Sequence, residues 1–294
     1  MDYFNLQGLG VALVTPFKED KSIDFDALGR IVDFQIQSKA DYLVVLGTTG
    51  ETPALFPDEK KEIKDFIRRR TNGRIPLILG CGGNNTAEVV NELKTGDFDG
   101  FKAVLSVVPA YNKPSQEGIF QHFMAIGEAS PLPVVLYNVP GRTGVNMTAK
   151  TTLRLASMSD KFIGIKEASG NLPQIEEIIK FKPKQFQVVS GDDGITYPLM
   201  AMGAVGVISV IGNAFPKEFG RMVRLCLQGE HEKALDIHFK FTELFNLLFV
   251  DGNPAGVKCT LNALGIIENV LRLPLVPTRV STNEKIHQIL SELS

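Results

Sequence analysis

Eight short apolar runs, each followed by turn residues and then by a helix-like pattern, constrain this chain more than any other feature. They are VALVT from Val11, YLVVLG from Tyr42, PLILG from Pro76 and FKAVLSVV from Phe101, then PVVLYN from Pro133, FIGIK from Phe162, FQVVSG from Phe186 and VGVISV from Val205. Apolar side chains fill these runs almost continuously, as in strands buried on both faces of a parallel sheet. Helical patterns lie between them: Phe25 to Ser38, Pro57 to Arg70, Thr86 to Lys94, Gln116 to Ala129, Thr148 to Met158, Leu172 to Phe181 and Ile195 to Met202. Successive runs start 19 to 34 residues apart. Eight βα repeats in about 225 residues fit an α/β fold of the (β/α)8 TIM-barrel type. A doubly wound open sheet is the alternative for the same alternation.

Beyond Pro216 the pattern turns helical throughout. Phe241, Phe245 and Phe249 lie four apart and read as a packing stripe. Asn253–Pro254 marks a turn into a further helix, and Ser281 to Leu293 forms the last one. The expected organisation is therefore a catalytic barrel over 1–224 and a C-terminal helical extension over 225–294.

Charge and composition exclude several classes of function. A net charge of −2 offers no bulk positive field for nucleic acid. The basic run from Lys60 to Arg70 carries Ile63, Phe66 and Ile67 at helical spacing, so it reads as the wet face of an amphipathic helix. Cys81, Cys226 and Cys259 are too few and too far apart for a disulfide framework, which suits a reducing, cytoplasmic setting. An early Asp2 and the lack of a basic n-region argue against a secretory leader. Residues 194–216 carry no charge over a length that would span a bilayer. Their glycines and prolines favour a helix turn, a buried strand and a loop instead, so no membrane association is expected.

Reactive polar residues cluster just after the apolar runs: Thr48 and Thr49, Tyr111, Tyr137 and Arg142, Lys166, and Ser190 to Asp193. In a barrel these strand ends share the face where active sites form. Lys166 ends the apolar run FIGIK, where an ammonium is unwelcome. A free lysine is neutral at pH 7 in only about one molecule in 2,500. Burial that lowers its pKa toward ~7–8 would make it a nucleophile for a ketone, and the resulting iminium is an electron sink. The bland reading is a lysine that snorkels outward or pairs with Glu167. Tyr137 stands one strand earlier, at a level where a phenol can shuttle protons. Arg142 follows in a Gly/Pro loop and suits a carboxylate. GTTGE (47–51) offers two hydroxyls and freed backbone N–H groups, although a tight turn explains it equally well. His122, His231, His238 and His287 show no ligand spacing, which argues against a metal site. Asp192 and Asp193 read as helix caps.

Taken in order, GTTGE, YNKPSQEG (111–118), YNVPGRTG (137–144), GIKEASGN (164–171), SGDD (190–193), GVISV (206–210) and NPAGVK (253–258) resemble the dihydrodipicolinate synthase family, from about Gly8 to Leu275. That resemblance implies condensation of pyruvate with L-aspartate 4-semialdehyde to 4-hydroxy-tetrahydrodipicolinate, in the diaminopimelate route to lysine, with no cofactor beyond an imine on Lys166. It implies Tyr137 as proton donor and acceptor, with Thr48 linking it to Tyr111, a residue that in the family reaches in from a neighbouring subunit. Thr49 would hold the pyruvate carboxylate, Ile208 would touch pyruvate through its backbone, Arg142 would orient the semialdehyde, and Gly191 would offer its carbonyl. A homotetramer of two tight dimers is implied as well. Related barrels with the same lysine cleave N-acetylneuraminate or 2-keto-3-deoxy sugar acids, and a keto-acid-binding regulator without turnover is the reading from another class. Asn84 and Glu88 match the family's effector site. Lys60 and Ala110 depart from it, so feedback by lysine is expected to be weak or absent, which titration of turnover with millimolar L-lysine would check.

Overall fold

A computed structural model describes residues 4–293. Asp2, on which the expectation about a leader rests, lies outside the described residues. The strands are β1 (Gly8–Ala12), β2 (Tyr42–Val45), β3 (Leu77–Gly80), β4 (Phe101–Val107), β5 (Val134–Asn138), β6 (Phe162–Glu167), β7 (Gln187–Ser190) and β8 (Gly206–Ser209). They follow one another in chain order around a closed barrel. β1 pairs with β2 in parallel, and so do successive strands from β3 to β8. Closure in this order settles the choice between barrel and open sheet. Every residue of β1, β2, β5, β6 and β8 is buried, as in a parallel sheet covered on both faces.

Helices connect the strands: α1 (Phe25–Gln37), α2 (Pro57–Thr71), α3 (Thr86–Thr95), α4 (Gln116–Ala129), the single turn α5 (Pro140–Thr143), α6 (Ala149–Met158), α7 (Leu172–Phe181), α8 (Thr196–Ala201) and α9 (Pro216–Leu227). α10 (His231–Val250), α11 (Ala255–Ala263) and α12 (Val280–Leu293) follow the last barrel helix. Their starts are written locally. Asp24 accepts from Ala27 N at 2.9 Å ahead of α1, Ser115 from Gly118 N ahead of α4, and Asn171 from Gln174 N ahead of α7. Pro57 opens α2 at a position that needs no N–H donor. Ile63 and Ile67 face inward on α2 while its arginines stay wet, as expected for an amphipathic helix. The uncharged stretch 194–216 divides into a turn, α8, β8 and a second turn. No helix among the described residues is long and apolar enough to cross a membrane.

One strand departs from expectation: β1 runs Gly8–Ala12 and not from Val11 to Thr15. Glycines obscured its start, because they carry no apolar signal and have low strand propensity. Each is there for space. A Cβ on Gly10 would stand 2.1 Å from the Tyr42 ring, and one on Gly8 would stand 2.3 Å from the Asp41 carboxylate. Leu13 to Thr15 then leave the strand, with Val14 N donating to Asn213 Oδ1 and Thr15 Oγ1 to Gly50 O.

The chain divides into two compact units. One contains Pro76–Ile208 with the segment that ends at Gln7; the other contains Gly8–Ile75 and Ser209–Ser294. In the first, Phe123, Val135, Leu136, Ile165, Ile178 and Val188 are fully buried. In the second, Leu9, Phe17, Ile31, Val44, Phe219 and Leu244 form the interior. Also buried there is an ion pair, Lys258 Nζ to Glu51 Oε1 at 2.5 Å. Lys258 also donates to Val270 O at 2.9 Å and lies 4.2 Å from the Phe17 ring centroid. Burial pushes its pKa down to about 8, although the Glu51 carboxylate beside it pulls the other way.

Candidate active site

The centre of the site is set by strand register. Tyr137 on β5 lies level with Lys166 on β6, and Asn138 lies level with Glu167. Side chains alternate along a strand, so each strand sends its two terminal residues to opposite faces. Tyr137 and Lys166 therefore meet: Lys166 Nζ lies 4.4 Å from the phenol ring centroid. Both are nearly closed off, at 5% exposure for Lys166 and 6% for Tyr137. The lysine does not snorkel. Nor does it pair with Glu167, whose carboxylate accepts from Ser169 N at 2.9 Å and from Asn138 Nδ2 at 3.1 Å. Burial holds the Glu167 pKa above the usual carboxylate range despite those donors.

Gly191 follows β7 and makes room for the amine. A Cβ there would lie 2.9 Å from Lys166 Cε and 2.8 Å from Ala168 Cβ, closer than such atoms approach. Its N–H donates to Glu167 O at 2.7 Å, which ties the turn to the end of β6. Asp192 Oδ1 accepts from Gly194 N at 2.9 Å and so caps the following turn, as expected. Ile208 is fully buried within β8.

Two loops of the same unit carry the next residues. Arg142 lies exposed in α5, directly after β5. Tyr111 lies after β4 with φ +71° and 91% of its surface exposed. Its N–H donates to Thr143 O at 3.1 Å, so the two loops are joined through backbone. Asn84 Oδ1 accepts from Ala110 N at 2.7 Å and Glu88 lies exposed in the first turn of α3, whereas Lys60, a residue of the other unit, lies half-buried on α2.

The threonine pair belongs to the other unit, in a 3-10 turn (Thr48–Gly50) at the end of β2. Thr49 is buried, and its Oγ1 accepts from Asn253 Nδ2 at 3.0 Å. With its lone pair engaged, the Thr49 hydroxyl keeps its proton to donate elsewhere. Glu51 closes the turn in a left-handed conformation, φ 53°, pinned by Lys258 and by the Arg272 N–H at 3.1 Å.

Sequence reasoning assigned no role to Asn253, Lys258, Glu51 or Asn138. The first three stand inside GTTGE and NPAGVK, motifs that carry the resemblance but from which only Thr48 and Thr49 took a role. Asn138 had a readable signal, since a polar residue ending an apolar strand beside Tyr137 must find partners on the opposite face.

A closed parallel barrel that gathers polar side chains at neighbouring strand ends has the architecture of the (β/α)8 enzymes, whose active sites form on that face. The comparisons with known proteins narrow this class. The model of the dihydrodipicolinate synthetase family matches residues 5–293. A 4-hydroxy-tetrahydrodipicolinate synthase of Parabacteroides distasonis is 65% identical over 290 residues, covering 99% of this chain and 98% of the relative. That of Phocaeicola vulgatus is 66% identical over 288 residues, covering 98% and 97%. The crystal structure of dihydrodipicolinate synthase from Aquifex aeolicus superposes with a TM-score of 0.94 at 39% identity, covering 98% of each chain. The chain belongs to the dihydrodipicolinate synthetase family.

Proposed function

We propose that this chain is a 4-hydroxy-tetrahydrodipicolinate synthase that joins pyruvate to L-aspartate 4-semialdehyde through an imine on Lys166. The observation that carries the reading is the buried Lys166 amine beside the Tyr137 ring, in space kept open by Gly191. The deprotonated amine adds to the pyruvate ketone, and loss of water gives the iminium. A methyl proton then leaves and the enamine carbon attacks the aldehyde. The semialdehyde's amino group displaces Lys166 to close the ring. One water is released for each pair of substrates joined, so no redox cofactor or metal is required by the balance.

Tyr137 moves protons at the carbinolamine and enamine stages, with Thr48 and Tyr111 completing the relay. Thr49, with its proton free to donate, holds the pyruvate carboxylate; Ile208 contacts pyruvate through its backbone. Arg142 clamps the carboxylate of the semialdehyde, and the Gly191 carbonyl faces its other end. The exposure of Tyr111 supports a dimer that covers it, assembled further into a tetramer, and three buried free cysteines support a cytoplasmic setting.

Steady-state turnover with both substrates tests the assignment. Arg142→Ala is expected to raise KM for the semialdehyde at least about tenfold, the loss of a charge-assisted pair, with KM for pyruvate little changed. Equal losses for both substrates would contradict the role.

A further inference from the structure

Behind Tyr137 and Lys166 lies a second matched pair, Asn138 and Glu167, one residue further along each strand and on the opposite face. Strand alternation turns both away from Tyr137 and Lys166. Both are fully buried, and a buried carboxylate and amide are costly unless hydrogen bonds satisfy them, in which case the network they form is rigid.

The contacts identify what is positioned. Asn138 Oδ1 accepts from Met147 N at 3.0 Å, while its Nδ2 points at Met147 O at 3.3 Å, Asn146 Oδ1 at 2.8 Å and Glu167 Oε1 at 3.1 Å. One side chain thus grips both backbone groups of Met147, at the far end of the loop that leaves β5 from Asn138 itself. Gln174 on α7 reinforces the grip. It accepts from Asn146 Nδ2 at 2.7 Å and donates to Met147 O at 3.2 Å and to Glu167 at 3.4 Å. Gln116 Nε2 holds Asn146 O from the opposite side at 2.8 Å. Inside the closed loop, Thr143 Oγ1 donates to Val145 O at 2.8 Å and Arg142 N to Val139 O at 2.9 Å. Thr143 O receives the Tyr111 N–H. The loop bolted shut by Asn138 is therefore the one that bears Arg142 and docks Tyr111.

We infer that Asn138, Glu167 and Gln174 form a clamp that positions the Arg142 loop, so that recognition of the second, carboxylate-bearing substrate depends on them while imine formation does not. They are positioning residues, and the inference rests on the function proposed above.

Asn138→Ala and the milder Gln174→Ala test it in the full-length protein, with KM measured for each substrate and borohydride trapping of the imine by pyruvate alone. Asn138→Ala is expected to raise KM for the semialdehyde about tenfold or more, and Gln174→Ala about threefold. KM for pyruvate should stay within about twofold and trapping should be unchanged. If Asn138→Ala does not fold, Gln174→Ala carries the same comparison. Asn138→Asp sets two carboxylates against each other and should be worse than alanine, and adding Glu167→Gln should restore part of the loss by turning acceptor into donor. Variants that shift both KM values together, or neither, would overturn the clamp while leaving the imine chemistry standing. Failure of wild-type protein to trap pyruvate would instead overturn the reading on which the clamp depends.

Discussion

At the scale of single residues, the site depends on who may stand beside Lys166. The glycine after β7 is required by distance, since any side chain there meets the Cε of the lysine at 2.9 Å. Gly191→Ala should push the amine off its position, slowing pyruvate-dependent trapping at Lys166 by at least about tenfold, on the scale of a misplaced reactive group. Circular dichroism should remain close to wild type while melting falls, because Ala168 Cβ at 2.8 Å cannot swing aside, and a folded variant that traps as fast as wild type would contradict the steric account. The position of Lys166 and Tyr137 at strand ends is legible in the sequence, because an ionisable residue at the end of an apolar strand stands out against its neighbours. Gly191 was legible only as part of a resembling motif. Its steric role depends on a residue 25 positions away, and spacing along a chain does not encode such an encounter. Asn138 and Glu167 were masked for a related reason: strand alternation turns them away from the chemistry that drew attention to their neighbours.

Elements add constraints that no residue shows alone. α11 is held to the turn after β2 by Lys258 and Glu51, both fully excluded from water on their side chains. Removing one partner of such a pair leaves a buried charge. Lys258→Met should therefore cost about 3–5 kcal/mol in urea unfolding, and Glu51→Gln/Lys258→Met should recover roughly half of that. A single variant that costs under about 1 kcal/mol would show that the pair is solvated. A second prediction concerns α4, whose His122 packs inward with Nδ1 2.9 Å from Thr86 Oγ1. Desolvation pushes its pKa down to about 4, from about 6.5 in an unfolded chain. The unfolded state then binds the proton that the folded state refuses. The contribution is whole above about pH 6.5 and drains as pH falls toward 4. Between pH 7 and 4.5, wild type should lose about 2.5 kcal/mol more than His122→Gln. Equal losses would place His122 in contact with water. Element boundaries were legible to within a residue or two wherever a cap or proline marked them, as at Pro57, Ser115 and Asn171. They failed at β1, where Gly8 and Gly10 serve the close approach of Tyr42 and Asp41 and carry no strand signal of their own.

For the whole molecule, eight apolar runs already implied eight parallel strands, and turn-rich breaks behind each run placed the reactive residues after strand ends. Closure of the sheet was the part that pattern alone left open, since an open doubly wound sheet writes nearly the same alternation. The proposed function makes one chemical demand of this chain: an amine on β6 that bonds covalently to a keto acid. Incubating the intact protein with pyruvate and sodium borohydride, then mapping peptides by mass, tests that demand directly. The account predicts reduced pyruvate on the peptide bearing Lys166, and none on that peptide in Lys166→Ala. Active protein whose Lys166 peptide stays unmodified would contradict it.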